Sequence, residues 1–195
     1  VVEAGEAVFL PACQAAESGI AALLEALAEA PRRAQLPADE AVPALQRAQA
    51  RLGITLADKQ RAAVLSALAE KILLITGGPG TGKTTILRAL IAALNGRPVR
   101  VLLAAPTGRA AKRMQEITGT EARTIHRLLE FDPRSGSFRR GPRDPLDCDL
   151  LVVDEASMVD TLLFYQLLRA LPPAASLLLL GDADQLPSVG PGNVL

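Results

Sequence analysis

Four stretches of this chain are almost continuously apolar: residues 71–76, 99–104, 149–153 and 176–180. Unbroken runs of that length suit parallel strands buried on both faces. The segments between and after them, 84–94, 108–118, 124–130 and 159–171, carry apolar residues at helical spacing. From residue 71 onward the pattern is therefore strand–helix alternation, which predicts an α/β fold with a mainly parallel sheet flanked by helices. The first part of the chain differs. A short strand is expected over Glu6–Leu10, closed by Pro11, then a helix over Ala12–Ala30 and a linker over Pro31–Pro37. A second helix is expected over Asp39–Arg51, with Asp39 as N-cap, Pro43 near its first turn and Gly53 ending it. A third is expected over Thr55–Glu70. The chain thus divides into a small helical region, 1–52, and an α/β domain, 53–195. The stretch from Asp132 to Asp147, rich in Gly, Pro and Arg, interrupts the alternation, with room for a hairpin at Arg134–Ser137.

Composition narrows the function classes. Apolar residues make up 49% of the 195, enough for a full core, and the formal net charge is zero. That balance argues against bulk electrostatic binding to nucleic acid or membrane, while leaving room for a local basic groove. Cys13 and Cys148 lack metal-ligand spacing and read as free thiols in a reducing compartment. No apolar run reaches the ~18 residues of a spanning helix, and the first residues lack a signal-peptide layout. The expectation is a cytoplasmic protein with no membrane partner. Val1 at the start and the apolar turn of sequence at Gly192–Leu195 suggest a segment of a longer protein.

Candidate chemistry begins at Gly77-Gly78-Pro79-Gly80-Thr81-Gly82-Lys83-Thr84, which has the spacing of a phosphate-binding P-loop. It lies between an apolar strand and a helical pattern, the context that this motif requires. Glycines let the backbone approach phosphates, and the helix N-terminus offers N–H groups to the anion. Lys83 is placed to reach the β- and γ-phosphates, and the Thr84 hydroxyl to ligate Mg²⁺.

A Mg²⁺–ATP site needs a carboxylate at the end of another strand. Leu150-Leu151-Val152-Val153-Asp154-Glu155 supplies one. Asp154 would hold Mg²⁺, directly or through water, and Glu155 would act as general base on the attacking water. An acidic helix cap is the plainer alternative for the pair. Gln185, after the strand at 176–180, is a candidate γ-phosphate sensor, and Asp182 reads as a loop or cap residue.

Together these motifs resemble the first motor domain of a superfamily 1 DNA helicase, closest to the RecD-like branch. The resemblance is carried by the P-loop through Thr85, Ala105–Met114, Thr124–Leu129, Val153–Val159 and Gly181–Gly190, in the family's order. It covers about residues 55–195 and implies a RecA-like P-loop NTPase fold. It implies that Gln60 reads adenine, that Gly78, Pro79, Gly80, Thr81, Gly82, Lys83, Thr84 and Thr85 bind ATP, and that Thr84 and Asp154 hold Mg²⁺. Lys83, Glu155 and Gln185 take the catalytic roles. Pro106, Thr107 and Arg109, then Thr124 and His126, match motifs that meet single-stranded DNA. Lys112 and Arg113 extend the basic character, or are ordinary solvated helix charge.

The resemblance further implies a 5′-to-3′ helicase that works in DNA repair or recombination. A second RecA-like domain of the same parent chain would complete its ATP site, and other protein subunits are possible partners. The segment alone is then expected to hydrolyse ATP slowly or not at all, and not to unwind duplex. With only four Phe and one Tyr, DNA binding is expected to rest on phosphate contacts, any base stacking coming from outside this segment. Two alternatives stand beside this reading: a protein-remodelling P-loop ATPase, and a scaffold subunit of a nuclease–helicase complex.

Overall fold

A computed structural model describes residues 2–4, 7–33, 36–185 and 188–195. The chain opens with a hairpin, β1 (Val2–Ala4) paired antiparallel with β2 (Ala7–Phe9). The strand expected over Glu6–Leu10 is thus the second arm of a pair; Glu6 lies outside the described residues. Three helices follow: α1 (Pro11–Glu29), α2 (Ala38–Leu52) and α3 (Asp58–Ala69). Pro11 occupies the first position of α1, where its missing N–H costs nothing.

Asp39 is not the N-cap of α2. That place belongs to Pro37, and Asp39 sits inside the first turn, where its charge complements the helix dipole. Pro43 falls in the second turn, with no N–H to give the carbonyl of Asp39. Gly53 ends the helix at φ 62, as its position predicts. The third helix starts three residues later than expected, because Thr55–Ala57 are extended into a cap.

The α/β part contains β3 (Ile72–Thr76), α4 (Lys83–Leu94), β4 (Val101–Ala105), α5 (Gly108–Thr118), β5 (Ala122–Thr124) and α6 (Ile125–Leu128). A small antiparallel hairpin, β6 (Phe131–Asp132) and β7 (Ser137–Phe138), fills the interruption. Then come β8 (Leu150–Val153), a 3-10 turn at Ala156–Met158, α7 (Thr161–Ala170) and β9 (Ser176–Gly181). Five strands form one all-parallel sheet in the order β3-β9-β8-β4-β5. The β5 strand has no apolar run to announce it; the open side of β4 recruits it.

Alternate strand residues feed two cores. Leu150, Val152, Leu178 and Leu180 face one layer with α2, α3 and α4. Leu151, Val153, Leu177 and Leu179 face the other, with α7 and the buried end of α1. Truncating any one such leucine to alanine costs about 2–5 kcal/mol. In α1, Gly19 lets the helix lie on α7: a Cβ there would stand 2.4 Å from the Tyr165 ring. The 31–33 linker is tied beneath the sheet. Arg32 donates to Ser176 Oγ (3.3 Å) and Leu68 O (3.1 Å), and Lys71 donates to Pro31 O and Pro173 O. The first helices therefore cover both sheet faces.

Candidate nucleotide and nucleic-acid site

Parallel strands put all their C-terminal ends along one edge, and the loops leaving that edge, with the helices they lead into, carry every candidate nucleotide and nucleic-acid residue except Gln60. The loop after β3 is the P-loop, Asp154 and Glu155 follow β8, and Gln185 follows β9. Pro106 and Thr107 follow β4 and lead into α5 at Arg109, and Thr124 ends β5, with His126 in the α6 turn after it. Strand order then separates the two sets: nucleotide candidates on β3, β9 and β8, nucleic-acid candidates on β4 and β5.

A cavity of about 310 Å³ lies between the P-loop and α5. Gly78 to Thr84 form one wall, Asp154, Glu155 and Gln185 the end, and Ala110, Arg113, Met114 and Ile117 of α5 the other wall. Gly80 and Gly82 stand at φ 77 and 91, backbone that only glycine adopts without cost. The ammonium of Lys83 donates to the Gly77 and Gly78 carbonyls, at the lip of the loop. Thr85 lies behind, its Oγ1 close to Gly82.

Asp154 sits at the end of the fully buried strand β8. Burial raises its pKa, opposed by the hydrogen bond from Glu155 N–H (2.9 Å) and then by the charges of Lys83 and Arg113. Glu155 is also raised, by burial first and by the Asp154 charge second, with Lys83 and Arg113 opposing. Its backbone takes φ 54, a left-handed conformation that a non-glycine residue adopts at a cost of about 1–2 kcal/mol. Strain held at a carboxylate inside a charged cavity is a common mark of function. Two residues along the chain, Ser157 is 4% exposed, and its hydroxyl has no hydrogen-bond partner among the described residues. Asp182 is the turn residue expected: its carboxylate accepts from Asp184 N–H at 3.1 Å.

Mg²⁺ commonly takes one or two protein oxygens and completes its shell with phosphates and water. Thr84 and Asp154 face the same cavity and fit that demand. Among the described residues no group of three or more His, Cys, Asp or Glu is placed to hold a metal ion.

Gln60 faces elsewhere. Its Oε1 accepts from Ala57 N–H and its Nε2 donates to Thr81 O, both at 3.2 Å. It borders a second hollow, about 500 Å³, on the other side of the P-loop along β3, where Leu74 is 47% exposed.

Thr107 and Thr124 are both N-caps: their hydroxyls accept from Ala110 N–H and Arg127 N–H, each at 3.2 Å. They aim the N-termini of α5 and α6, and Arg109 and His126 are exposed beside them. Sequence reasoning left base stacking to other parts of the protein. The structure also gathers three rings within this segment: His126 lies 5.5 Å from Phe131 and 5.7 Å from Phe138, and the two phenylalanines are 5.1 Å apart across β6–β7. Among the described residues, no carboxylate is within ion-pair distance of Arg134, Arg139 or Arg143 on the same insertion. Phenylalanines seven residues apart on either side of a turn are the signal that could have found the cluster.

The five-stranded sheet, the P-loop and the acidic strand end define a RecA-like P-loop fold. The chain belongs to the AAA domain family, whose sequence profile matches residues 60–191, and within it to the RecD-like superfamily 1 helicases. It is 41% identical over 187 residues to the ATP-dependent RecD2 DNA helicase of Deinococcus radiodurans, an alignment that covers 95% of this chain and 25% of that protein. It is 44% identical over 162 residues to the RecBCD enzyme subunit RecD of Mycolicibacterium smegmatis, covering 71% and 29%. Among solved structures it is similar to Bacteroides Pif1 bound to ssDNA, with 26% identity, a TM-score of 0.51, and coverage of 70% of this chain and 34% of that one. The chain thus spans about a quarter of the length of the curated relatives it matches. Among the described residues no helix is long and apolar enough to cross a membrane.

Proposed function

We propose that this chain is the ATP-binding motor domain of a DNA helicase that couples hydrolysis to movement on single-stranded DNA. The observation that carries the reading is one edge of one sheet: the P-loop, Asp154, Glu155 and Gln185 surround a single cavity, and the Thr107 and Thr124 helix starts stand next along that edge. ATP is the substrate, with its phosphates against Gly78–Thr85 and its adenine toward Gln60. Lys83 neutralises phosphate charge, Glu155 takes the proton of the attacking water, and Gln185 orients that water against the terminal phosphate. Mg²⁺, held by Thr84 and Asp154, would supply charge neutralisation at the phosphates. Pro106, Thr107, Arg109, Thr124 and His126 meet the DNA backbone, and the His126–Phe131–Phe138 cluster offers its bases a stacking surface.

The finer parts of the reading rest on the family resemblance alone. They are 5′-to-3′ polarity, work in repair or recombination, a cytoplasmic address, and a second RecA-like domain that completes the ATP site. The division at residue 52 stands as part of the proposal, with α1 and α2 bracing the domain of 53–195.

The test is nucleotide and oligo-dT binding, with steady-state ATP hydrolysis in the presence and absence of oligo-dT, for the chain beside Lys83→Ala. Nucleotide binding that Lys83→Ala abolishes, with little turnover, is the expected result for half of a composite site. A chain that binds no nucleotide, or whose oligo-dT affinity is absent at low salt, overturns the reading; nucleotide binding without DNA binding would favour a protein-remodelling ATPase.

A further inference from the structure

The nucleotide cavity holds one charged side chain whose sequence context leaves it as open to a solvated role as to a site role. Arg113 lies on α5, and Ala110, Arg113, Met114 and Ile117 line the cavity wall opposite the P-loop. Those positions fall at i, i+3, i+4 and i+7, one face of a helix. Met114 is 2% exposed, and its burial sets the rotation that turns Arg113 toward the cavity. Arg113 and Lys112 are both exposed, but Lys112 is absent from the cavity lining and pairs with Glu116 at 3.9 Å. Among the described residues no carboxylate lies within ion-pair distance of Arg113.

Charge balance gives that guanidinium a task. The cavity lining carries two carboxylates, Asp154 and Glu155, and two cations, Lys83 and Arg113. A triphosphate adds several negative charges beside those carboxylates, and the Lys83 ammonium with one Mg²⁺ would offset them only in part. A guanidinium is the side chain best shaped to take two phosphate oxygens at once. Lys83 belongs to the P-loop wall, whereas Arg113 approaches from across the cavity.

We propose that Arg113 binds the terminal phosphate of a nucleoside triphosphate from within this same domain, so that the site distinguishes triphosphate from diphosphate. The proposal rests on the nucleotide reading above. It also joins the two candidate sites through one rigid element. The α5 helix begins at the Thr107 cap beside Arg109, so DNA at its N-terminus and phosphate at Arg113 act on the same helix.

The experiment is titration of the chain, with Mg²⁺ present, against fluorescent N-methylanthraniloyl ATP and ADP. Wild type, Arg113→Ala, Arg113→Lys and Lys112→Ala are compared, with circular dichroism spectra and melting temperatures recorded for each. Arg113→Ala is expected to lose ATP affinity by about 10-fold or more, the scale of a charge-assisted hydrogen bond, with ADP affinity within about two-fold of wild type. Arg113→Lys retains part of the ATP preference, and Lys112→Ala matches wild type. Unchanged ATP affinity in Arg113→Ala, or equal losses for ATP and ADP, overturns the proposal and leaves the P-loop reading standing. A wild-type chain that binds neither nucleotide overturns both.

Discussion

The carboxamide of Gln60 clasps the P-loop: its Nε2 donates to Thr81 O at 3.2 Å and lies 2.1 Å from where a Cβ on Gly82 would stand. The first turn of α3 and the phosphate loop are therefore one unit, and Gly82 at φ 91 is its tightest point. Gly82→Ala forces an L residue into left-handed backbone, at about 1–2 kcal/mol, and pushes Gln60 aside. The clash is with the far end of a flexible side chain, which can shift at the cost of one hydrogen bond; the backbone strain cannot relax. Gly82→Ala is expected to weaken nucleotide binding and lower stability, and Gln60→Ala in the same chain is expected to restore little of either. Full recovery in the double variant, measured by nucleotide titration and urea melts, would show that the contact and not the backbone sets the cost.

The buried carboxylates make a pH prediction with a definite sign. Burial raises the pKa of Asp154, and burial with the Asp154 charge raises that of Glu155. Across the window between the ordinary carboxylate range and these raised values, the folded chain holds protons that the unfolded chain has released. The contribution of these two groups to stability therefore falls as pH rises through that window, and above it their penalty stays constant. Asp154→Asn keeps an oxygen to accept from Glu155 N–H and removes the charge. It is expected to be more stable than wild type at neutral pH, with the gap closing toward about pH 4. Urea midpoints across pH, at constant slope, measure this; a variant less stable than wild type at neutral pH contradicts it.

Ser157 extends the argument to a neutral group. Its hydroxyl is buried without a partner among the described residues, and leaving such a group unsatisfied costs about 1–3 kcal/mol. Ser157→Ala is expected to hold or raise the urea midpoint. A loss of more than about 1 kcal/mol would mean that the hydroxyl is satisfied in solution.

The two thiols separate by environment. Burial, with help from Asp149 and Asp147, pushes the Cys148 thiol up to about 12. At pH 8 only about one such thiol in 10⁴ is ionised, and the thiolate is the reactive form. Cys13, partly exposed on α1, is expected to react with Ellman's reagent in the folded chain, and Cys148 only after unfolding. Two fast equivalents under native conditions would contradict the burial of Cys148.

How far these features could be read from residues follows their range. The strands at β8 and β9 were legible because burial on both faces leaves continuous apolar runs, and the P-loop because glycine spacing is local. The β5 strand was not: Ala122-Arg123-Thr124 has no pattern of its own and is a strand only because β4 offers an open side. Arg32 gave no local sign either, since its partners lie 36 and 144 residues away. Asp39 has the composition of a cap, but Pro37 starts the helix before it. Within the candidate site, the P-loop and the Asp154–Glu155 pair were legible singly, whereas the facing of Arg113 depends on how Met114 packs.

The aromatic cluster gives the nucleic-acid reading its sharpest test. Phe131 is 39% exposed, whereas Phe138 packs against the core, so Phe131 can be truncated with little loss of fold. Stacking of a base on such a ring is worth about 1–3 kcal/mol, and it does not depend on counterion release. Phe131→Ala is therefore expected to weaken oligo-dT binding by about 5- to 150-fold while leaving the slope of affinity against salt unchanged. Arg139, exposed and without an ion-pair partner among the described residues, is expected to do the converse. Arg139→Gln lowers the salt slope by about one and weakens binding evenly across base sequences. Fluorescence anisotropy with labelled oligo-dT over a salt series separates the two effects. If Phe131→Ala binds as wild type does, the rings serve only to hold the β6–β7 hairpin against α6, and base contacts must come from other surfaces.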